Sequence, residues 1–292
     1  MWSADNWKEY RLLDATDGER LERWGKYTLV RPDPQVIWKS DGSRSRAWTD
    51  ADAVYRRSSS GGGAWNENRL PSEWTIGYGN LKFVIRTMGF KHTGIFPEQA
   101  VNWDWARGLI EKRVSSGRKV RLLNLFAYTG GATVSAAAAG AEVCHVDAAK
   151  GMVATAKENA ALSGLSDAKI RYIVDDCRKF VEREIRRGSK YEAIIMDPPS
   201  YGRGPGGEVW KIEDSAHSLI KLAAACLSDD PLFFLINSYT AGLSPLTMKY
   251  MLDTTLLPRF GGRCEASEIA LRVESTGCFL PCGSSARWSA TD

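Results

Sequence analysis

One stretch of the sequence, residues 121–147, constrains the fold more than any other because it combines an apolar run, a glycine pair and a small-residue helix. The apolar run at residues 120–126 has the length of a buried parallel strand. Gly130 and Gly131 then allow a sharp turn and leave no side chain between the backbone and a ligand. Residues 132–139 predict a helix whose first N–H groups are unpaired. The stretch therefore predicts a strand, a ligand-binding turn and a helix.

A second strand and an acidic residue complete this pattern. Residues 142–146 predict a strand, and Asp147 at its carboxyl end is placed to accept hydrogen bonds from ribose hydroxyls. A dinucleotide-binding turn needs G-x-G-x-x-G, which the turn FAYTGG at residues 126–131 lacks. S-adenosylmethionine (SAM) carries ribose and adenine but no phosphate, so it tolerates a looser turn. Taken alone, the turn is also compatible with a purely packing role.

Alternating strand and helix patterns continue to the end of the chain. The last two strands lack an intervening helix and must be antiparallel, because a parallel connection needs a dozen or more residues. We therefore predict an α/β fold with a Rossmann-like, seven-stranded sheet whose last strand is antiparallel. The further predicted helices are residues 98–116, 150–163, 178–188, 212–227 and 243–257, and the further strands are 170–174, 191–196, 232–236, 264–273 and 277–288.

The end of the third predicted strand offers two interpretations. Asp176 could accept a hydrogen bond from an adenine amino group, with the N–H of Cys177 reaching a ring nitrogen. Asp176 could equally cap the helix that follows. Both interpretations stay open at the level of the sequence.

The end of the fourth predicted strand is more specific. Two prolines after an acid, at residues 197–199, fix φ twice and remove two N–H donors. The result is a rigid elbow with free carbonyl groups, followed by the hydroxyl of Ser200 and the aromatic face of Tyr201, on which a planar base could stack. Residues 202–210, GRGPGGEVW, predict a mobile lid in which Arg203 could reach a phosphate. The alternative is a surface loop without contacts.

The first part of the chain differs in composition, since nine of the eleven tryptophans precede residue 118. Short strand-like segments at residues 27–30, 36–38 and 81–86 are separated by turn clusters. We predict a β-rich domain at residues 1–95 and a second domain at residues 96–292. Cations and tryptophans alternate between residues 38 and 57, which is typical of an RNA-stacking surface. The alternative is that the tryptophans form this domain's core and the arginines are solvated.

The composition sets further limits. Lys and Arg number 39 against 35 Asp and Glu, a mild basic excess that is compatible with RNA binding but not evidence for it. The six cysteines form no C-x-x-C pair, so we expect reduced thiols in a cytoplasmic protein and no metal. No apolar run is long enough for us to expect a membrane span.

Several of these motifs together carry a resemblance to a known class. The sequence LNLFAYTGG at residues 123–131, the strand-end acids Asp147 and Asp176, and DPPSY at residues 197–201 resemble class I SAM-dependent methyltransferases. Within that class they are similar to the large-subunit ribosomal RNA methyltransferase family, which includes cytosine-C5 and guanine-N7 enzymes. Residues 91–99, KHTGIFPEQ, resemble that family's K-T-G-F-F-x-D-Q segment, from which His92 and Glu98 depart.

The resemblance covers about residues 90–290 and implies a class I methyltransferase fold with SAM as cofactor, RNA as substrate and no metal. It places Asp197 at the point of methyl transfer, so Asp197, Pro198 and Tyr201 are the predicted catalytic residues. It also implies that Gln99 closes over the cofactor. The residues predicted to bind the cofactor are Gln99, Phe126, Ala127, Tyr128, Thr129, Gly130, Asp147, Ala148, Asp176, Cys177 and Asp197.

The predicted substrate site departs from the family pattern. Cytosine-C5 enzymes need a cysteine nucleophile, which in the family follows the fifth strand, where this chain has Asn237, Ser238 and Tyr239. An amide and hydroxyls can instead hydrogen-bond a purine edge. We therefore predict methylation of a base nitrogen in RNA, with ribosomal RNA favoured. The alternatives are a protein or small-molecule methyltransferase, and a SAM-binding module, against which the intact elbow at residues 197–199 argues.

Overall fold

A computed structural model of the chain describes residues 1–42, 44–58, 62–66, 69–89, 91–203, 209–240 and 242–290. The chain divides into two compact units. The sheet unit comprises Met1–Trp2, Asn102–Ile269 and Gly283–Asp292, and the amino-terminal unit comprises Ser3–Val101 and Ala270–Cys282. The division predicted from the sequence, residues 1–95 and 96–292, remains a prediction. It differs from these units in the assignment of residues 1–2, 96–101 and 270–282.

The amino-terminal unit is rich in β-structure, as predicted. Strands β2 to β6 form one sheet in chain order, and β7 pairs with β8 in an antiparallel hairpin. The elements of this part of the chain are β1 (Trp2–Ser3), β2 (Tyr10–Thr16), β3 (Glu19–Trp24), β4 (Tyr27–Pro32), α1 (Arg46–Thr49), β5 (Ala53–Arg57), β6 (Gly63–Asn66), β7 (Trp74–Tyr78) and β8 (Leu81–Ile85).

Several of the amino-terminal tryptophans are core residues. Trp24 is fully buried and Trp48 is 5% exposed. Arg44 lies over the ring of Trp48 at 4.1 Å and pairs with Glu19 at 2.6 Å. The alternative in which tryptophans form the core is therefore correct for Trp24 and Trp48, and Arg44 is bound to a carboxylate rather than merely solvated.

The predicted strand at residues 36–38 is wrong. The side chain of Asp33 accepts the N–H of Gln35, and the Asp33 carbonyl accepts the N–H of Val36. These two bonds make a turn there. The indole N–H of Trp38 then donates to the carbonyl of Ala15, near the end of β2, at 2.6 Å. A local apolar pattern was thus overridden by turn chemistry.

The sheet unit shows the predicted alternation of helices and strands. A 3-10 turn, Pro97–Gln99, precedes its first long helix. The elements are α2 (Ala100–Ser115), β9 (Arg121–Leu125), α3 (Gly131–Ala138), β10 (Glu142–Asp147), α4 (Lys150–Leu162), β11 (Ile170–Val174), α5 (Cys177–Arg186), β12 (Ala193–Met196), β13 (Tyr201–Arg203), β14 (Val209–Lys211), α6 (Ile212–Ala224), β15 (Phe233–Ser238), α7 (Pro245–Phe260), β16 (Arg263–Arg272) and β17 (Phe279–Ser289).

The large sheet has the order β1-β16-β17-β15-β12-β9-β10-β11. Strands β11, β10, β9, β12 and β15 are parallel, and β17 runs antiparallel to β15, as predicted. The predicted number of seven strands is one too small for the described part of the chain, because Trp2–Ser3 adds an edge strand beside β16. Two residues carry no periodic pattern, so the sequence could not reveal this strand.

Buried side chains cover both faces of this sheet. On one face, Leu123, Cys144 and Ile194 pack with residues of α5, α6 and α7. On the other, Leu122 and Val143 pack with residues of α2 and α3. Because the central strands are parallel, their carboxyl ends meet at one edge, where ligands bind in such folds.

Candidate functional site

The loop between β9 and α3 has an unusual backbone. Phe126 and Tyr128 have φ of 55° and 50°, in the left-handed region that non-glycine residues rarely adopt. Gly130 follows with φ of 82°. Such conformations cost free energy and cluster at binding and active sites. The loop predicted from the sequence to bind the ligand is therefore held in a specific, strained shape.

The two glycines are required by close packing. A Cβ atom on Gly130 would lie 2.8 Å from Cβ of Ala156, and one on Gly131 would lie 2.5 Å from Cζ2 of Trp103. Gly130 is also the N-cap of α3, and it offers no side chain to the first N–H groups of the helix. The first N–H groups of α3 are thus left for a ligand, whereas the N–H groups of loop residues 126–128 and 130 already donate within the protein.

Asp147, at the end of β10, holds the loop in place. Its Oδ2 accepts the N–H of Tyr128 at 2.8 Å, and its Oδ1 accepts the N–H of Ala149 at 2.8 Å. A carboxylate has about four acceptor positions, so these bonds leave capacity for two further donors. Asp147 is half-buried and Ala148 beside it is exposed. This geometry fits the predicted role of Asp147 toward ribose hydroxyls.

A buried network of hydrogen-bonded polar side chains adjoins the loop, and the sequence pattern did not predict it. Asn124 donates to Thr133 Oγ1 at 2.9 Å, and the same oxygen lies 2.9 Å from Nδ1 of His145. Asn159 donates to the carbonyl of Thr129 at 2.8 Å. Burial lowers the pKa of His145 to about 4, so the ring is neutral at neutral pH. The sequence does contain a signal for this network, since Asn124 and His145 are polar residues within the otherwise apolar strands β9 and β10.

Asp176 and Cys177 both have structural partners. The side chain of Asp176 caps α5 by accepting the N–H of Lys179 at 2.8 Å, so the capping interpretation is confirmed. The Cys177 sulfur accepts the N–H of Phe126 at 3.2 Å and lies 3.7 Å from the carbonyl oxygen of Val146. The thiol thus attaches the loop to α5. The contacts of Asp176 and Cys177 with adenine remain predictions.

The elbow after β12 is bonded on both sides. The N–H of Asp197 donates to the Leu125 carbonyl at 3.3 Å, which joins the elbow to the strand that precedes the loop. Thr240 donates to Ser200 Oγ at 2.6 Å. Asp197 is half-buried, and Tyr201 is 52% exposed and therefore accessible to a planar partner. The elbow thus places an acid next to the strand that leads into the loop, and it is followed by an accessible aromatic ring.

Trp210 corrects one part of the sequence prediction. Its indole N–H donates to the Pro199 carbonyl at 2.6 Å, so this carbonyl is not free for a substrate. Its ring also lies 6.1 Å from that of Phe126. Within the predicted lid, β13 and β14 form an antiparallel hairpin. Residues 204–208 and the side chain of Arg203 lie outside the described part of the chain, so the lid remains a prediction.

The predicted residues of the loop and the elbow belong to one unit, whereas Gln99 does not. Strands β9 to β12 are neighbours in the large sheet of this unit. One predicted residue lies at or just after the end of each strand: Phe126 for β9, Asp147 for β10, Asp176 for β11 and Asp197 for β12. Gln99 is buried in the 3-10 turn of the amino-terminal unit. Its closure over the cofactor remains a prediction.

A glycine-containing loop, a strand-end acid and an Asp-Pro-Pro elbow on this strand order define a class I methyltransferase. The model of the S-adenosylmethionine-dependent methyltransferase family matches residues 21–246. A crystal structure of a SAM-dependent methyltransferase from Agrobacterium tumefaciens is 35% identical, with a TM-score of 0.91, over 99% of this chain and 93% of that one. The chain therefore belongs to the S-adenosylmethionine-dependent methyltransferase family, and SAM is its cofactor.

Curated relatives match a shorter region. The ribosomal RNA large subunit methyltransferase K/L of Shewanella frigidimarina is 38% identical over 135 residues, which are 46% of this chain and 17% of that protein. The protein of the same name from Shewanella sp. (strain MR-4) is 35% identical over 143 residues, 48% of this chain and 18% of that protein. The chain thus spans less than a fifth of the length of these two relatives.

Proposed function

We propose that the protein transfers the methyl group of SAM to a nitrogen atom of a base in RNA, and that its substrate is ribosomal RNA. The observation that carries the proposal is the neighbourhood of the Asp197-Pro198-Pro199 elbow. It adjoins the cofactor loop, and Asn237 rather than a cysteine lies beside it. The names of the Shewanella relatives support an RNA substrate.

The residues present fit SAM. Loop residues 126–130 would surround the methionine part, and the uncapped N-terminus of α3 would donate N–H groups to its carboxylate. The carboxylate of Asp147 would accept from the ribose hydroxyls, with Ala148 beside it. We assign Asp176 and Cys177 to the adenine and Gln99 to a covering role. When bound, SAM supplies an electrophilic methyl group on a sulfonium.

The contribution of the protein to such a displacement is alignment, worth about 7–11 kcal/mol in favourable cases. Tyr201 would stack on the target base and so fix the orientation of the base beside the elbow. An exocyclic amine must lose a proton, which the carboxylate of Asp197 would accept, while the carbonyl of Pro198 would accept a hydrogen bond from the same amine. Guanine N7 carries a lone pair and no proton, so methylation there needs no base.

The thiols of the sheet unit argue against cytosine-C5 chemistry, which requires a thiolate. Burial raises the pKa of Cys144 and Cys226 to about 11 and that of Cys264 to about 12. Burial also raises the pKa of Cys177, whose sulfur is bonded to the loop backbone. Thiols in such environments are inert, which favours nitrogen over carbon as the methyl acceptor.

We further propose that the amino-terminal unit contributes to RNA contact and that the protein acts in the cytoplasm. Trp38 is 40% exposed and Arg57 is exposed at the end of β5, so both are accessible to a nucleic acid. Within the described residues no helix is long and apolar enough to cross a membrane.

The test is methylation in vitro with tritiated SAM. RNA fractions and protein fractions from a strain that lacks the enzyme would be incubated with the purified protein, and labelled RNA would be digested for nucleoside mass spectrometry. We expect label in ribosomal RNA and a purine methylated on nitrogen. Label in protein or in small molecules alone would contradict an RNA substrate. A 5-methylcytosine product that disappears after a single Cys→Ala change would contradict the assignment to nitrogen.

A further inference from the structure

A buried polar network connects α2 and β17 to the end of β15. Asn102 donates from Nδ2 to Oδ1 of Asn237 at 2.9 Å and to Oγ of Ser285 at 2.9 Å. Ser285 donates to the same Oδ1 of Asn237 at 2.6 Å. Arg287 donates to Oδ1 of Asn102 from Nε at 3.0 Å and from Nη2 at 2.6 Å. All four residues belong to the sheet unit.

The chemistry of Arg287 determines the orientation of both amides. Burial lowers its pKa to about 10, which still leaves a guanidinium at neutral pH, and a guanidinium offers only donors. The Asn102 atom that faces Arg287 must therefore be the oxygen, so its NH2 group faces Asn237. The Asn237 atom that accepts this NH2 group must in turn be the oxygen. Arg287 is itself held over the ring of Trp2 at 3.8 Å.

The remaining half of the Asn237 amide is its NH2 group. Asn237 is 3% exposed, and its Nδ2 donates to no other group among the residues that the structure describes. The Nδ2 atom is nevertheless accessible to solvent rather than enclosed. It is therefore a donor, held in place by the network, that an acceptor on a ligand can reach.

The position of Asn237 identifies this ligand. Met196 of β12 is the register partner of Ile236 of β15, so the next residues, Asp197 and Asn237, lie side by side at the carboxyl edge of the sheet. Asp197 presents an acceptor there and Asn237 presents a donor. The pair is complementary to a planar edge on which an acceptor adjoins an N–H group. The O6 and N1–H of guanine form such an edge, and so do the N1 and amino group of adenine.

We propose that Arg287 and Asn102 are positioning residues. They fix the amide of Asn237 with its oxygen turned into the protein and its NH2 group turned toward an acceptor on the target base. This inference rests on the proposed function, and it assigns the recognition of the base edge to Asn237 beside Asp197.

The test exchanges one atom of the network. Asn102→Asp keeps an acceptor for Arg287, whose charge balances the new carboxylate, so we expect the variant to fold. The Oδ1 of Asn237 would then face a carboxylate oxygen, and the amide must turn over and present oxygen to the base. We expect kcat/KM on ribosomal RNA to fall by about 10- to 100-fold, with unchanged SAM affinity by calorimetry. Ser166→Asp, an exposed change in the loop before β11, is the matched control and should leave both quantities unchanged.

A second measurement does not depend on RNA. The side-chain NH2 protons of Asn237, followed by NMR, should exchange rapidly with water in the wild type and at least about tenfold more slowly in Asn102→Asp, where they gain internal acceptors. Wild-type kcat/KM in Asn102→Asp, or protected NH2 protons in the wild type, would overturn the inference. If the wild type methylates no RNA, the proposed function fails, and proton exchange alone then decides how Asn237 is oriented.

Discussion

Replacing Asp147 by asparagine tests the cofactor site most directly. Each carboxylate oxygen of Asp147 accepts one backbone N–H at 2.8 Å, from Tyr128 and from Ala149. Asparagine has one amide oxygen, so its NH2 group must face one of these N–H groups. The loss of one hydrogen bond to a charged group costs about 1.5–3 kcal/mol. We therefore expect Asp147→Asn to lower the free energy of unfolding by this amount in the absence of cofactor.

The same change should weaken SAM binding, because an amide accepts fewer hydrogen bonds from ribose hydroxyls than a carboxylate. A loss of about 1.5–3 kcal/mol raises the dissociation constant roughly 10- to 150-fold. Urea unfolding measures the first effect, and calorimetry measures the second. An analogue of SAM that lacks both ribose hydroxyls should bind the wild type weakly and should lose little further affinity in the variant.

The control is Asp176→Asn at the end of the adjacent strand. Asparagine caps a helix about as well as aspartate does, so the unfolding free energy should stay within about 0.5 kcal/mol of the wild type. Its SAM affinity separately tests the adenine contact. If Asp147→Asn retains both wild-type unfolding and wild-type SAM affinity, Asp147 neither holds the loop nor contacts ribose, and the reasoning is refuted.

Four further predictions concern the loop and the elbow. Asp197→Asn should keep SAM affinity within a few fold yet lose most turnover, because the partner of Asp197 is the reacting group; equal turnover in single-turnover assays would mean that the elbow only shapes the pocket. Gly131→Ala should cost about 1–3 kcal/mol by urea unfolding, since the new Cβ would lie 2.5 Å from the ring of Trp103; an unchanged unfolding midpoint would contradict this packing. The pKa of His145 falls from 6.5 to about 4 on folding, so the unfolded chain binds more protons between these values, and wild-type stability should decrease by about 3 kcal/mol as pH falls through this window; the same decrease in His145→Gln would assign the effect to other groups. Trp210→Phe removes the donor to the Pro199 carbonyl and should raise the Michaelis constant for RNA without changing SAM affinity, so wild-type kinetics would show that the bond is dispensable.

Much of the fold could be predicted because each element of the large sheet carries its own local pattern. Residues 170–174 were predicted as a strand and β11 has the same bounds. Asp147 and Asp197 were correctly placed at or directly after strand ends, where an apolar run stops. Alternation of such runs with amphipathic helices leaves few topologies for a parallel sheet.

What the sequence alone determined is therefore the order of the elements and the place of the loop, the acid and the elbow along the chain. Only the tertiary structure decided which polar groups bind one another. Asn237 is hydrogen-bonded to Asn102, 135 residues away, and to Ser285, 48 residues away. The indole N–H of Trp210 donates to the Pro199 carbonyl of the elbow. The physical reason is that periodicity reports which side of an element is buried, whereas a hydrogen-bond partner exists only once strands and helices distant in sequence have packed together.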